Sequence, residues 1–212
     1  MDNGIFAVYK PVGMTSHDVV NRVRTITHVM RVGHGGTLDP LAEGVLVIAV
    51  GRENTKLLDK YVKGEKEYAA SIKLGFTSET DDSEGPIKKV SDNEPKLIEI
   101  QEKLKKFIGE ISQTPSRYSA IKIKGKEAYK RIRKGETFEM EPRKVFIKRI
   151  EIISYDYPML EIKVTCGTGV YIRSLARDIG DELQAGGYLT RLVRTRVGEF
   201  KVEDAIKLED LQ

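Results

Sequence analysis

The sequence predicts a mixed α/β (α+β) fold, built as one domain of 212 residues. An unbroken apolar run at 45–50 is typical of a buried strand, and Tyr68–Leu74 alternates with period two, as a strand with one buried face does. Apolar residues between Val19 and Met30 recur at helical spacing. The chain is long enough to bury a substantial core.

The elements follow in order from local patterns. Ile5–Tyr9 predicts the first strand, and Thr15 with Asp18 has the form of a capping box before the first helix, whose stripe ends at Met30. Further helices are predicted at 55–62, 95–109, 172–185 and 203–211, and further strands at 145–153, 160–166 and 188–197.

Two of these segments carry expectations about burial. In the helix at 55–62 we expect Leu57, Leu58 and Tyr61 or Val62 to be buried. Between Thr77 and Asn93 the acidic residues do not follow the spacing of an EF-hand. That segment therefore predicts a solvated acidic loop.

Composition excludes several classes of protein. Hydrophobic residues make up 40% and charged residues 32%, and no apolar run approaches the roughly 18 residues of a membrane helix. The first residues lack the regions of a signal peptide. A single cysteine, Cys166, cannot form an internal disulfide, so we expect a cytoplasmic protein in which Cys166 is a small buried side chain.

Positive charge is concentrated in one segment. The net charge is +4, yet residues 117–149 alone contain 12 Lys and Arg against 4 Glu. Tyr118, Tyr129 and Phe138 interleave with them, which suits base stacking together with phosphate contact. The pattern predicts that residues at about 117–149 bind a polyanion, although a solvated basic face is the alternative. The residues expected to bind RNA are Lys10, Arg117, Lys122, Lys124, Lys126, Lys130 and Arg131.

The stretch Gly33–Gly44 contains four glycines around His34 and Asp39 and leads into the buried strand. Glycine lets the main chain pass close to a ligand, so the loop is able to present Asp39 from a rigid strand. Asp followed by Pro is also typical of a helix start, with Asp39 as N-cap. The pattern alone leaves both interpretations open.

A second informative stretch is Gly169–Arg173, where an arginine lies at the start of a predicted helix. Positive charge there opposes the helix dipole. We therefore expect Arg173 to pair with a carboxylate from elsewhere in the chain.

These stretches resemble the motifs of the TruB family of tRNA pseudouridine synthases, in the family's order. The matching segments are Lys10–Ser16, Gly33–Gly44, Tyr68, Gly169–Arg173 and Leu189–Phe200. The resemblance implies the pseudouridine synthase fold: a central, mostly antiparallel sheet flanked by helices and loops, with an RNA-clamping insertion where the basic segment falls.

The resemblance also implies roles for residues. Asp39 would be the catalytic aspartate, Arg173 its salt-bridge partner and Tyr68 the ring that stacks on the target base. The remaining substrate contacts would come from His34, in the space left by the flipped nucleotide, from Tyr171, lining the pocket, and from Leu192, against the uracil.

The chain departs from the family pattern at two places. Val170 stands where the family usually has threonine, and the chain ends at Gln212, where bacterial members commonly continue into a PUA domain. We therefore expect a single catalytic domain, 1–212, without that PUA domain.

The predicted function is that of a tRNA pseudouridine-55 synthase acting on the T-arm. The sequence lacks a Cys/His cluster at ligand spacing, a Walker motif and a dinucleotide fingerprint, so no metal or cofactor is expected. We expect a monomer with no membrane association and no obligate protein partner. The alternatives are a noncatalytic RNA-binding or tRNA-folding chaperone and an RNA-guided relative that needs partner proteins.

Overall fold

The structure, a computed structural model, describes residues 4–119, 121–123 and 125–211, and its fold is mixed α/β as predicted. Within these residues the strands are β1 (Gly4–Lys10), β2 (Val32–His34), β3 (Ala42–Val50), β4 (Lys66–Leu74), β5 (Phe76–Ser78), β6 (Ile87–Lys89), β7 (Gly109–Gln113), β8 (Lys122–Ile123), β9 (Lys126–Glu127), β10 (Arg143–Asp156), β11 (Met159–Cys166), β12 (Gly187–Val197), β13 (Phe200–Lys201) and β14 (Ile206–Lys207). The helices are α1 (Ser16–Thr27), α2 (Arg52–Val62), α3 (Leu97–Leu104), α4 (Ala128–Ile132) and α5 (Ile172–Glu182).

Ten of the described strands belong to one mixed sheet. Its hydrogen-bonded order is β14-β1-β3-β12-β4-β11-β10-β7, with β2 beside β3 and β13 beside β12. The pairs β1–β3, β2–β3, β7–β10 and β12–β13 are antiparallel, whereas β1–β14 and β3–β12 are parallel. None of the described helices has the length and apolar character needed to cross a bilayer.

The chain forms two compact units from separated segments. The first unit comprises Met1–Ala69, Lys163–Thr168 and Arg191–Gln212, and the second comprises Ala70–Ile162 and Gly169–Thr190.

Strand β3 is the centre of the first unit. It pairs along β1, from Gly4 opposite Val50 to Lys10 opposite Gly44. Successive side chains of a strand point to opposite faces, so Leu46 and Ile48 pack in the cluster that contains the apolar face of α1, while Val45 and Val47 pack with Leu58 of α2. The predicted buried strand is confirmed.

Helix α1 begins as its sequence predicts. The backbone N–H of Asp18 donates to Thr15 Oγ1 and that of Thr15 donates to Asp18 Oδ2, so both halves of the capping box are present. The helix ends at Thr27, because His28 adopts a left-handed conformation. Met30 therefore lies beyond the helix, 82% exposed, and its predicted place in the buried stripe is wrong.

Two other local predictions fail in the first unit. In α2, Leu58 is buried and Val62, the alternative to Tyr61, is partly buried against the same cluster, whereas Leu57 and Tyr61 are exposed because the helix packs through a narrow stripe. The final helix predicted at 203–211 is absent. A 3₁₀ turn at Val202–Asp204 leads instead into β14, whose pairing with β1 outweighs the local helical pattern.

The second unit contains the antiparallel pair β7–β10, helices α3 and α5, and the short hairpins β5–β6 and β8–β9. The buried stripe predicted for α5 is confirmed, with Leu175, Ala176 and Ile179 fully buried. The basic insertion contains β8, β9 and α4, and from Arg143 onward its residues belong to the long strand β10.

Gly44 is required where β3 meets β12. Its φ is +105°, and a Cβ built there would lie 2.3 Å from the backbone oxygen of Arg194. We expect Gly44→Ala to lower the free energy of unfolding by about 3 kcal/mol or more, since backbone strain alone costs about 1–3 kcal/mol. Chemical denaturation measures this loss.

The matched control is Gly109→Ala. Gly109 has a similar φ of +100° but nothing within 4 Å of its Cβ position, so this variant reports strain without a clash. Equal losses in the two variants would contradict the proposed close approach of β3 and β12.

Candidate active site

The loop that joins β2 to β3, residues 35–41, carries Asp39. No helix follows Asp39; the N–H of Ala42 donates to the Asp39 carbonyl at 3.0 Å, which closes a turn that leads directly into β3. The N-cap interpretation of Asp39 is therefore wrong. The side chain of Asp39 is half-buried on a turn whose backbone is held on several sides.

The segment Lys10–Ser16 holds one side of this loop. Lys10 Nζ donates to the carbonyl oxygens of Pro11, Met14 and Pro40 at 2.8, 2.6 and 3.4 Å. Ser16 Oγ accepts from the Leu38 N–H at 2.8 Å and donates to the Leu38 carbonyl at 3.1 Å. The first motif of the sequence therefore anchors the residues on both sides of Asp39.

The position of Lys10 corrects its predicted role. Its side chain is completely buried, so the structure leaves no surface through which Lys10 would contact RNA. Its three donors end on backbone carbonyls instead, because β1 ends directly beneath the loop. Lys10 is thus a support of the Asp39 loop.

Arg194 of β12 holds the other side of the loop. Its Nε donates to the Val45 carbonyl at 2.8 Å, its Nη2 to the Gly36 carbonyl at 3.1 Å and its Nη1 to the Thr37 carbonyl at 3.4 Å. No role for Arg194 was predicted from the sequence. The available signal was its place in an alternating strand, where a charged residue falls among buried positions.

Burial and neighbouring charges act together on Lys10. Burial lowers the pKa of the Lys10 ammonium to about 8, the Asp39 carboxylate opposes that fall, and Arg194 adds to it. Asp39 is thus the strongest of the anionic influences on this buried cation.

Tyr68 and Leu192 lie in the same unit as Asp39. Tyr68 is 7% exposed, and burial raises the pKa of its hydroxyl, with Arg194 opposing and Asp39 adding to the rise. The phenol is therefore protonated at neutral pH. Leu192 is 6% exposed and lies opposite Ala42 in the β3–β12 pair. Ala42 follows Asp39 by three residues in the sequence, so this pairing brings Leu192 close to the Asp39 turn.

His34 ends β2 just before the loop. Burial lowers the pKa of its imidazole, and the charge of Arg194 lowers it further, so His34 is neutral at neutral pH. Its Nδ1 is buried and has no hydrogen-bond partner among the described residues. A neutral ring with an unused polar atom is suited to contact a ligand.

A cluster that the sequence analysis missed follows the loop. Glu43 accepts a hydrogen bond from Tyr9 Oη at 2.6 Å and two from Arg191, at 3.0 and 2.8 Å. Burial alone would raise the pKa of Glu43, but these donors bring it below its ordinary value. No local pattern indicated this contact, because its members come from three separate strands.

In the second unit, Arg173 has a buried carboxylate partner. Its Nη1 lies 3.0 Å from Asp82 Oδ2, and Asp82 is fully buried. Asp82 Oδ1 accepts from Thr80 Oγ1 at 2.5 Å and from the Glu84 N–H at 3.0 Å. The expectation of a carboxylate partner for Arg173 is met by Asp82. The pairing of Arg173 with Asp39 that the resemblance implies stays a prediction.

The predicted solvated acidic loop is wrong at Asp81 and Asp82. Asp81 is also buried, and its Oδ2 lies 2.9 Å from Arg177 Nη1. Burial raises the pKa of Asp81 while Arg177 opposes the rise. These carboxylates leave water because α5 supplies two arginines as partners.

Tyr171 is the N-cap residue of α5. Gln113, itself 1% exposed, accepts a hydrogen bond from the Tyr171 N–H at 2.9 Å and donates to its carbonyl at 3.1 Å. The Gln113 side chain therefore fixes the backbone from which the Tyr171 ring projects.

The basic insertion exposes the side chains of Arg117, Lys122, Lys126 and Lys130, while Arg131 is partly buried. Arg131 Nε lies 2.7 Å from Glu136, and its guanidinium stacks 4.7 Å from the ring centroid of Phe138. A cavity of about 430 Å³ is lined by Gly125, Lys126, Glu127, Lys130, Arg131, Arg133, Lys134 and Glu136. Lys124 lies outside the described residues.

Cys166 is buried, at 1% exposure, and burial raises the pKa of its thiol to about 12. This confirms a small buried side chain. Within the described part of the chain, no group of three or more His, Cys, Asp and Glu residues is arranged to hold a metal ion.

Comparisons with known proteins converge on one family. Residues 24–172 match the family model described as TruB family pseudouridylate synthase (N terminal domain), and residues 173–212 match tRNA pseudouridylate synthase B C-terminal domain. The chain is 45% identical to tRNA pseudouridine synthase B of Clostridium tetani, covering 99% of this chain and 72% of that protein. It is also 45% identical to the Mycobacterium tuberculosis protein of that name, covering 98% of this chain and 71% of the relative.

Solved structures give the same similarity. A chain of a Cbf5–Nop10–Gar1 complex superposes with a TM-score of 0.77 at 30% identity, covering 99% of this chain. A chain of an H/ACA RNP bound to a substrate RNA containing 2′-deoxyuridine superposes with a TM-score of 0.73 at 29% identity, covering 98% of this chain. The present chain spans about half the length of each, 53% and 51%.

The lowered pKa of Lys10 predicts a pH effect on stability. Below about pH 8 the ammonium is charged in both states; between about 8 and its ordinary value of 10.5, the unfolded chain holds a proton that the folded chain has released. The contribution of Lys10 to the free energy of unfolding therefore increases as pH rises through this range.

Chemical denaturation of the wild type and of Lys10→Met at pH 7 and pH 10 measures that contribution. The difference between the two proteins is expected to shift in favour of the wild type at pH 10. A difference that does not change with pH would contradict the assignment.

Asp82→Asn is expected to lower the free energy of unfolding by about 3 kcal/mol or more, because it breaks a buried ion pair between Arg173 and Asp82. The matched control is Asp81→Asn, which we expect to cost about 1 kcal/mol. Arg177 retains Asp178 and the Thr114 carbonyl in that variant. A larger loss from Asp81→Asn would show that Arg173–Asp82 is not the principal contact.

Proposed function

The chain belongs to the TruB family of pseudouridylate synthases, and from that premise we propose that it isomerises uridine to pseudouridine at position 55, in the T-loop of tRNA. One observation supports this most directly: Asp39, at the family's motif position, is half-buried on a loop held by Lys10, Ser16 and Arg194.

The reaction rearranges bonds without a net redox change. The N1–C1′ bond of the uridine breaks, the uracil rotates, and a C5–C1′ bond forms as the proton on C5 leaves and N1 gains a proton. The carboxylate of Asp39 either adds to the base or sugar or stabilises positive charge on C1′. No bound metal or cofactor is required for either route.

The surrounding side chains have chemistry suited to a flipped base. We propose that the Tyr68 ring stacks on the uracil, that Leu192 packs against it, and that His34 fills the space vacated by the nucleotide. The burial of Tyr68 and Leu192 favours an aromatic contact in a dry site. The neutral state of His34 favours its insertion among bases.

Extraction of the base from a folded tRNA costs a few kcal/mol, which stacking and phosphate contacts offset. We propose that the exposed cations of the basic insertion bind the T-arm, and that Arg173 and Tyr171 complete the substrate contacts. The insertion concentrates Lys126 and Lys130 around one cavity, which favours a polyanion. The whole chain would act as a single catalytic domain, as a monomer in the cytoplasm.

Asp39→Asn is expected to lower the rate of tritium release from tRNA that carries 5-tritiated uridine by a factor of at least about 10⁴. The reason is that the carboxylate is lost from the reacting centre. Carbodiimide labelling of the product confirms the mass-neutral change. Asp59→Asn, at an exposed aspartate of α2, is the control. Binding of tRNA by the wild type without any release would favour the noncatalytic chaperone instead.

Lys126→Gln combined with Lys130→Gln is expected to weaken tRNA binding about tenfold, and to reduce the slope of log K against log salt concentration by up to about one per lysine. The control is Lys56→Gln, an exposed lysine of α2. An equal salt-dependence slope for the wild type and the double variant would exclude phosphate contact by Lys126 and Lys130.

A further inference from the structure

Arg194 is a buried cation without a carboxylate partner. It is 1% exposed, and it hydrogen-bonds the carbonyls of Gly36, Thr37 and Val45 and the Tyr68 side chain, with no salt bridge among the described residues. A buried charge that lacks an opposite charge is costly. Positions that break such a rule are commonly occupied for function.

The three carbonyl acceptors define what this guanidinium holds. Gly36 and Thr37 precede Asp39 in the loop, and Val45 lies in the strand that follows it. One planar group therefore joins the start of the loop to the strand that supports its end. Lysine cannot reproduce this, because its ammonium has no rigid fork of donors.

The sheet explains why Arg194 reaches this place. In the β3–β12 pair Arg194 lies opposite Gly44, where a Cβ would collide with the Arg194 backbone. The absent side chain lets the two strands approach, so the guanidinium emerges beneath the loop rather than in water.

We infer that Arg194 is a positioning residue of the isomerisation, whose guanidinium holds the Asp39 loop at the geometry in which the carboxylate meets the flipped uridine. This inference rests on the proposed function. Arg194 acts through the loop backbone and does not itself contact the substrate. The proposed substrate is unchanged, and the inference adds the group that holds the Asp39 carboxylate in place.

Two substitutions separate geometry from charge. Arg194→Lys keeps the positive charge but loses the fork, and Arg194→Met removes both while filling the buried volume with an apolar chain, which a desolvated position tolerates well. In each variant kcat is expected to fall about 100-fold, as a displacement of about 1 Å in a reacting group produces. The KM for tRNA should change less than about threefold, since the basic insertion is untouched.

The matched control is Arg196→Lys. Arg196 lies two residues further along β12, half-buried, with hydrogen bonds to Glu65 and the Gly198 carbonyl. Its substitution is expected to leave kcat within about twofold of the wild type.

His34 provides a readout other than activity. Burial and then the charge of Arg194 lower the pKa of His34, so NMR titration should find that pKa raised in Arg194→Met and little changed in Arg194→Lys. Loss of kcat in both variants, with the His34 pKa moved in only one, supports positioning. Loss of kcat in Arg194→Met alone would assign the effect to charge and overturn the inference.

Thermal unfolding of each variant establishes that it is folded at the assay temperature. If Arg194→Lys does not fold, the kcat of Arg194→Met alone tests the inference. Full kcat in a folded Arg194→Met also overturns the inference while leaving the proposed function intact. A wild type that releases no tritium would instead refute the proposed function.

Discussion

Buried cations that bind backbone carbonyls are the constraint on which the candidate site depends. Lys10 and Arg194 are almost completely removed from water, and their donors end on carbonyl oxygens of the Asp39 loop and its flanks. A buried ammonium or guanidinium is costly unless its donors are satisfied. Here the hydrogen bonds that offset the desolvation of the two cations also hold the backbone of the loop. The rigidity of the loop therefore comes from the burial of these two side chains.

In the second unit, arginine side chains pair with buried carboxylates as well as with backbone carbonyls. Arg173 and Arg177 of α5 pair with the buried carboxylates of Asp82 and Asp81, and the Thr80 hydroxyl donates a further hydrogen bond to Asp82. Removing one member of such a pair leaves a charge buried without compensation. The segment between β5 and β6 is therefore held by electrostatics where its own sequence, polar and rich in turns, would leave it in water.

Burial is the main control on the protonation states of His34 and Tyr68. Burial and Arg194 keep His34 neutral, and burial keeps the phenol of Tyr68 protonated. A neutral imidazole and a neutral phenol suit the passage of an uncharged base into the proposed site.

The sequence by itself determined the elements whose periodicity is strong and whose signals are local. The capping box of α1, the buried run of β3, the alternation of β4 and the apolar stripe of α5 all lie within a few residues of their causes, and each is present. The string around Asp39 was likewise sufficient to identify the family. Exposed cations at Lys126 and Lys130 could be predicted because surface charge is a property of composition.

Only the tertiary structure decided where the charged residues of the interior go. Lys10 looked like an RNA contact, Asp82 like part of a solvated loop and Arg194 like one arginine among several in a strand. Each has at least one partner from a distant segment, namely Pro40 for Lys10, Arg173 for Asp82 and Val45 for Arg194, and no local window contains that partner. The predicted final helix failed for the same reason, since the free edge of β1 offered β14 hydrogen bonds that the last residues could not find among themselves.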